Sequence, residues 1–369
     1  MKLFISAAEP SGDIIAAEVM HHCPKDTHYI GIGGVEMQKY GLNSLFPMEE
    51  LSVMGFLEII PRAFNILKRI KETVDYIIKE QPDVVLTIDA YSFHSRLAKR
   101  LRHLGYSGQL HHYVPPAVWA WKEGRAQSLA HLYDRVYCIF PFEPPYFSKH
   151  GIQADFVGHP AAFRESVADS AFLDKHNLDS KPILLLLPGS RIQEINKLLP
   201  DFLKAAKIIQ TQTPVQVIIP TLLHLEPLID TICSAEQFTA KILTKTEDRF
   251  QSFKHAKAAI AASGTVAMEL ALNQVPTVIG YKTSAITYWL AKRFAKVNYA
   301  TVLNIIADKE IIPEFLQDRC TAENLAQATL SFFNTQYQLQ DIIKITEQLK
   351  SPLGLKPQEI VAREILQIQ

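Results

Sequence analysis

Cysteine is scarce in this chain of 369 residues: Cys23, Cys138, Cys233 and Cys320 stand far apart, with no C-x-x-C spacing among them. That excludes a zinc ribbon and a disulfide framework and fits a reducing cytosol. A surplus of either charge is also lacking, since 38 Lys and Arg balance 38 Asp and Glu, and residues 1–165 alone carry 17 basic against 18 acidic. A protein that coats nucleic acid needs a cationic excess, so no nucleic-acid partner is expected and any basic site is local. Long apolar runs are missing. A long uncharged stretch, residues 208–225, is broken by Pro214 and Pro220 and falls short of the roughly 20 apolar residues of a membrane span. Leu3-Phe4-Ile5 gives way to Glu9 and Asp13, too short an apolar core for a signal peptide. Any membrane association is therefore expected to be peripheral.

Several motifs are absent too. There is no G-x-x-x-x-G-K-[ST], H-E-x-x-H or G-x-S-x-G, which argues against a P-loop ATPase, a zincin and an α/β-hydrolase. Gly31, Gly33 and Gly34 do not complete G-x-G-x-x-G. With no D-x-D, a metal bridging a nucleotide diphosphate is not indicated, and His21-His22 and His111-His112 lack metal-ligand spacing, so both pairs read as structural. Neither a metal nor a cofactor is expected.

What is present is alternation. Short runs rich in Ile, Val and Leu alternate with longer amphipathic stretches, the pattern of strands buried on both faces by helices. Strands are predicted at residues 3–7, 29–32, 84–88, 110–114, 136–139 and 155–157, and again at 183–187, 215–219, 240–243, 258–262 and 277–279. Helical patterns lie between them, at 13–22, 64–79, 94–104 and 126–132 in the first half. The class is α/β: two doubly wound, Rossmann-like domains facing a cleft. The seam is expected within residues 163–181, giving domains at 1–165 and 166–340, with C-terminal helices at 341–369 crossing back to the first. Open parallel sheets take their ligands outside the carboxyl ends of the strands, so the loops there form a short list of candidates.

The first strand ends in Glu9-Pro10-Ser11-Gly12-Asp13, equally readable as a ligand loop and as an ordinary helix cap. Asp89 closes the strand at 84–88, with Tyr91, Ser92 and His94 behind it, and is the candidate general base; its plain alternative is a helix N-cap. The strand at 183–187 runs into Pro188-Gly189-Ser190-Arg191. There a glycine lets the backbone approach a phosphate, a helix N-terminus adds positive charge and an arginine fork binds phosphate oxygens, unless Arg191 merely pairs with Glu194. Ser263-Gly264-Thr265 follows the strand at 258–262, and Glu269 shares a helix face with Thr265. A carboxylate there can accept both hydroxyls of a ribose, and in so apolar a segment it needs a partner. Finally, Val53, Met54, Phe56 and Leu57 lie in a dense apolar run followed by Arg62, Lys68, Arg69 and Lys71. Core packing explains most such runs; an acyl pocket or a patch facing an anionic membrane surface is the alternative.

Together these motifs resemble the lipid A disaccharide synthase family, glycosyltransferases of Gram-negative outer-membrane biogenesis. The resemblance covers nearly the whole chain. It is carried by Glu9–Asp13, Ser52-Val53-Met54-Gly55 with Glu58, Ile88-Asp89-Ala90, Val118-Trp119-Ala120-Trp121, Phe140-Pro141-Phe142-Glu143 and Gly158-His159-Pro160. Further on it rests on Leu187–Arg191, Ala262–Thr265 with Glu269, Leu290-Ala291-Lys292-Arg293, Leu303-Asn304 and Pro313-Glu314-Phe315-Leu316-Gln317. The chain departs from the family pattern at Ser92-Phe93-His94, where the family has Asp-Phe-Asn, at Ala161-Ala162-Phe163-Arg164 and at Pro116.

The resemblance implies a GT-B fold and an inverting, metal-free transfer from UDP-2,3-diacylglucosamine to the 6-hydroxyl of 2,3-diacylglucosamine 1-phosphate. It implies Asp89 and Arg191 as catalytic residues. Gly189, Ser190, Arg191, Ser263, Gly264, Thr265, Glu269, Asn304, Glu314 and Gln317 would bind the nucleotide in the second domain. Glu9, Ser11, Gly12, Asp13, Trp119 and His159 would bind the acceptor in the first. The partners implied are the two acylated sugars and an anionic membrane, from a cytoplasmic position on the inner face of the inner membrane; a homodimer is compatible with this. Two other readings stay open. A UDP-N-acetylglucosamine epimerase or peptidoglycan glycosyltransferase would share the fold and nucleotide loop without needing the apolar run. A non-catalytic nucleotide-sugar binding protein would keep Glu269 and dispense with Asp89.

Overall fold

A computed structural model describes the chain except at residues 52–58, 121, 165–166, 285–287, 290–292, 294–296, 335–338 and 368–369, with backbone alone at 59–63 and 334. The apolar run at Val53, Met54, Phe56 and Leu57 therefore lies outside the described residues, as do Trp121 and Leu290, Ala291 and Lys292 of the family motifs.

The apolar runs become short parallel strands. In the first half these are β1 (Lys2–Ser6), β2 (His28–Ile32), β3 (Val84–Ile88), β4 (Gln109–Tyr113), β5 (Arg135–Cys138) and β6 (Gln153–Phe156). They pair in the order β2-β1-β3-β4-β5-β6. The second half supplies β7 (Ile183–Leu187), β8 (Gln216–Pro220), β9 (Lys241–Leu243), β10 (Ala256–Ala261), β11 (Thr277–Tyr281) and β12 (Glu314–Leu316), ordered β12-β11-β10-β7-β8-β9. In each sheet the order reverses direction beside the first strand, the switch point at which such folds bind ligands. Every residue of β3 and of β7 is buried, because helices cover both faces and leave no side of the strand to water.

The chain divides into two compact units, Met1–Phe163 with Leu349–Gln369, and Arg164–Gln348. In the first, the helix Pro357–Leu366 packs on the helix Pro10–His22 and adds Ile360, Val361, Ala362 and Ile365 to the core beneath it. In the second, the helices Ile192–Gln212 and Ala322–Asn334 pack against each other beside β10 and β11. Among the strands, β12 was not expected. β12 has only three residues and pairs on one side alone, too short for a run of alternating or apolar residues to register.

Candidate functional site

In the first unit Asp89 stands at the carboxyl end of β3, half-buried, where burial pushes its carboxyl above the ordinary value and the Ala90 backbone N–H partly offsets this. The reading of Asp89 as an N-cap is corrected. The helix begins at Tyr91 with Ala90 at its cap, and no side chain caps it. Asp89 and Ala90 are instead consecutive left-handed residues, with φ of +52° and +42°, a conformation that costs a non-glycine residue roughly 1–2 kcal/mol. The pair is held from several sides. Asp89 N–H donates to the Tyr113 carbonyl at 2.9 Å, and the Ala90 carbonyl accepts from the N–H groups of Phe93 and His94. The Asp89 carbonyl takes a hydrogen bond from His94 Nδ1 at 2.8 Å. Because a carbonyl only accepts, Nδ1 carries the proton and Nε2 accepts from Ser6 Oγ, 2.9 Å away at the end of β1. Burial pushes the His94 pKa down to about 4, so the ring is neutral.

The loop after β1 behaves differently from a simple cap. Glu9 is the N-cap residue and Pro10 the first residue of its helix, the position where a missing N–H costs nothing. Glu9 and Ser11 are exposed and Gly12 is buried, its hydrogen 3.3 Å from the Ala7 side chain were it a methyl group. Asp13 is turned inward. Its carboxylate accepts the backbone N–H groups of Gly34 at 2.7 Å, Glu36 at 2.9 Å and Met37 at 3.3 Å. Asp13, expected at the acceptor, ties the loop after β2 to this helix through these three bonds.

Farther along the same sheet edge, the loops after β4, β5 and β6 converge. Trp119 is buried against Phe140 and Phe142, and the His159 ring lies on Phe140 with centroids 5.4 Å apart. The Trp119 indole N–H donates to Glu143 Oε1 at 3.1 Å, while the other oxygen accepts the N–H groups of Ile139 and Phe140. Burial of Glu143 outweighs these bonds and raises its pKa to about 7. His159 Nδ1 accepts from the Ala161 N–H. Three motifs far apart in sequence thus form one aromatic cluster.

In the second unit a cavity of about 450 Å³ opens at the carboxyl ends of β7, β8 and β10, lined by Gly189, Ser190, Arg191, Thr221, Arg249 and the Ser263–Thr265 loop among others. Its size suits a small polar ligand. Gly189 takes φ +112°, and any Cβ there would run into the Glu194 side chain, so the loop cannot carry another residue without shifting. Arg191 occupies the N-cap of the helix Ile192–Gln212 with its side chain 80% exposed, pairing with Glu194 at 3.1 Å. Ser263 Oγ donates to the Ala300 carbonyl at 3.1 Å. The partner that Glu269 requires is Arg249, whose guanidinium pairs with it, while that of Arg164 lies 3.9 Å away. Arg249 also lines the cavity. Sequence reading missed it because a charged residue on the amphipathic helix Thr246–His255 carries no distinguishing signal.

Asn304 and Glu314, expected at the nucleotide, are bonded to each other and to the backbone around them. Asn304 is fully buried, with Oδ1 accepting the N–H groups of Ile311 and Ile312 and Nδ2 donating to the Ile312 carbonyl and to Glu314. Two donors and two acceptors exhaust its side chain. Glu314 also accepts from the N–H groups of Ala300 and Thr301 and from Thr301 Oγ1. This knot fixes the segment bearing Ala300, and through it Ser263. Gln317, left-handed at φ +53°, accepts the Thr283 N–H through its side chain. Among the described residues, no group of three or more His, Cys, Asp or Glu is placed to hold a metal, and no helix is long and apolar enough to cross a membrane.

Comparison with known proteins gives a consistent picture. The family model described as lipid-A-disaccharide synthetase matches residues 3–365. A lipid-A-disaccharide synthase of Rhodospirillum centenum (strain ATCC 51521 / SW) is 37% identical over 379 residues, spanning 99% of this chain and 94% of its own length. Among solved structures, the S. aureus MnaA-UDP co-structure superposes with a TM-score of 0.68 at 13% identity, over 100% of this chain and 97% of that one. Acinetobacter baumannii MurG gives 0.60 at 16% identity, over 99% of each chain. At such identities these structures bear on the fold alone, and they share the two-sheet GT-B architecture.

Proposed function

The chain belongs to the lipid-A-disaccharide synthetase family, and from that premise we propose how its residues divide the work of a glycosyltransferase. The donor is UDP-2,3-diacylglucosamine and the acceptor 2,3-diacylglucosamine 1-phosphate; the products are the β-linked disaccharide 1-phosphate and UDP. The observation that carries this reading is a family match over residues 3–365. It is supported by the cavity in which a glycine loop, an arginine and a helix N-terminus meet.

Inversion at the anomeric carbon takes one displacement. The acceptor 6-hydroxyl attacks from the face opposite UDP, Asp89 takes its proton, and the bond to the β-phosphate oxygen breaks with its electron pair passing to UDP. A half-buried carboxylate whose pKa is raised is a stronger base than an exposed one. Arg191, with Gly189 and Ser190, meets the charge that grows on the departing diphosphate. Its side of the pair with Glu194 is 80% exposed, which holds the pair's worth to about 1 kcal/mol, so a diphosphate accepting both guanidinium N–H bonds displaces it readily. Ser263, Gly264 and Thr265 border the nucleotide, and Glu269, oriented by Arg249, accepts from the ribose. Glu9, Ser11, Gly12, Trp119 and His159 form the acceptor side. No metal or cofactor is needed, since arginine and helix N-terminus supply the positive charge.

Both substrates carry acyl chains, so the protein works at an anionic membrane, bound peripherally through Val53, Met54, Phe56 and Leu57. Phe64 and Leu67, on the helix Ile59–Glu80, are 73% and 53% exposed and offer apolar surface of their own. Lys68 lies beside them, paired with Glu72 at 3.8 Å, and Arg69 is taken up by Glu50 and Glu72 at 2.7 and 2.6 Å. The experiment is direct: purified protein is incubated with UDP-diacylglucosamine and the monosaccharide 1-phosphate and the products are read by mass spectrometry. A disaccharide 1-phosphate is expected. Recovery of an epimerised UDP-sugar, or of unchanged substrates despite UDP binding, would remove the transferase reading.

A further inference from the structure

Resting on the reading of Asp89 as the base, we propose that His94 is its positioning residue, a buried strut that aims the carboxylate by gripping the left-handed backbone beneath it. Asp89 and Ala90 both occupy a conformation that side-chain-bearing residues disfavour. Such a pair persists only where its surroundings over-determine it. His94 holds both members: its ring donates to the carbonyl of Asp89 at 2.8 Å, and its backbone N–H to that of Ala90 at 3.2 Å. The ring cannot swing away, because its other nitrogen is fastened to Ser6 Oγ at 2.9 Å on the neighbouring strand β1. The residue's own carbonyl is fixed by the Tyr133 hydroxyl at 3.0 Å. His94 is fully buried, so it never meets substrate and acts only through Asp89. With the Asp89 N–H already held by the Tyr113 carbonyl, the ring's grip on the Asp89 carbonyl sets the direction in which the Asp89 Cα–Cβ bond points.

A purely structural histidine and a positioning one are separated by two near-isosteric substitutions. In His94→Asn the amide nitrogen falls where Nδ1 lies, keeping the bond to the Asp89 carbonyl and losing Ser6. In His94→Gln the amide falls near Nε2, keeping Ser6 and losing Asp89. Both remove the ring, so both lower the melting temperature. Only H94Q is expected to lose kcat, by about 10- to 100-fold, the usual result of displacing a reacting group by an ångström or so. H94N should stay within about threefold of the unaltered protein. KM for both substrates and UDP affinity by calorimetry should move little in either. Equal kcat values in the two variants, whether both high or both low, would overturn the proposal. Asp89→Asn measured alongside separates it from the reading it rests on. Full turnover in D89N removes the base assignment itself, whereas an inactive D89N beside a fully active H94Q removes only the role of His94. If H94Q does not fold, the comparison is made in H94Q/A90G against H94N/A90G, where glycine takes the left-handed conformation without a Cβ.

Discussion

Arg191 shows how little of a residue's purpose lies in its resting contacts. In the structure it pairs with Glu194 at 3.1 Å and is largely solvated, the arrangement of any arginine at a helix start. What distinguishes it is place: a cavity rim shared with Gly189 and the Ser263–Thr265 loop. Arg191→Ala is expected to lower kcat by about 10²–10³-fold, the usual effect of deleting a donor aimed at developing charge, with the melting temperature unchanged. Lysine should restore little, because a point charge replaces a planar fork. Turnover near that of the unaltered protein in Arg191→Ala, measured by UDP release, would assign the diphosphate contact to another residue, with Arg249 the next to test.

The strands were readable where both faces are buried, since β7 is an uninterrupted apolar run and β3 is broken only by Thr87. β12 was not, and with it went the knot between the helix Val302–Ala307 and that strand, because the pairing of Asn304 with Glu314 exists only once the chain has folded back. The same limit hid Arg249 behind Glu269 and Trp119 behind Glu143: each member was visible as a motif or a charge, and neither as a pair. Asp13 looked like a cap for its own helix and instead serves the turn at Gly34. The knot is expected to matter for stability. Asn304→Ala leaves the N–H groups of Ile311 and Ile312 without their acceptor in a buried setting and should cost roughly 3 kcal/mol, with UDP affinity falling as the Ala300 carbonyl drifts from Ser263. An unchanged urea midpoint would mean that the segment can re-pair without it.

For the molecule as a whole, the reading that it meets a membrane surface predicts cosedimentation with anionic vesicles, strongest at low salt. Replacing Met54, Phe56 and Leu57 by serine should reduce pelleting and raise KM for the lipid acceptor while leaving UDP affinity alone; a triple variant that pellets as before would move the contact elsewhere. The two units have a further relation in the order of the chain. Since Arg164–Gln348 is inserted within the first unit, a ribosome delivers the first sheet complete and then withholds the helix Pro357–Leu366 that covers Pro10–His22. At ordinary elongation rates the delay is on the order of 10–40 s, long against the milliseconds in which a small domain folds. During that interval the apolar face of Pro10–His22 stands without the helix that later covers it.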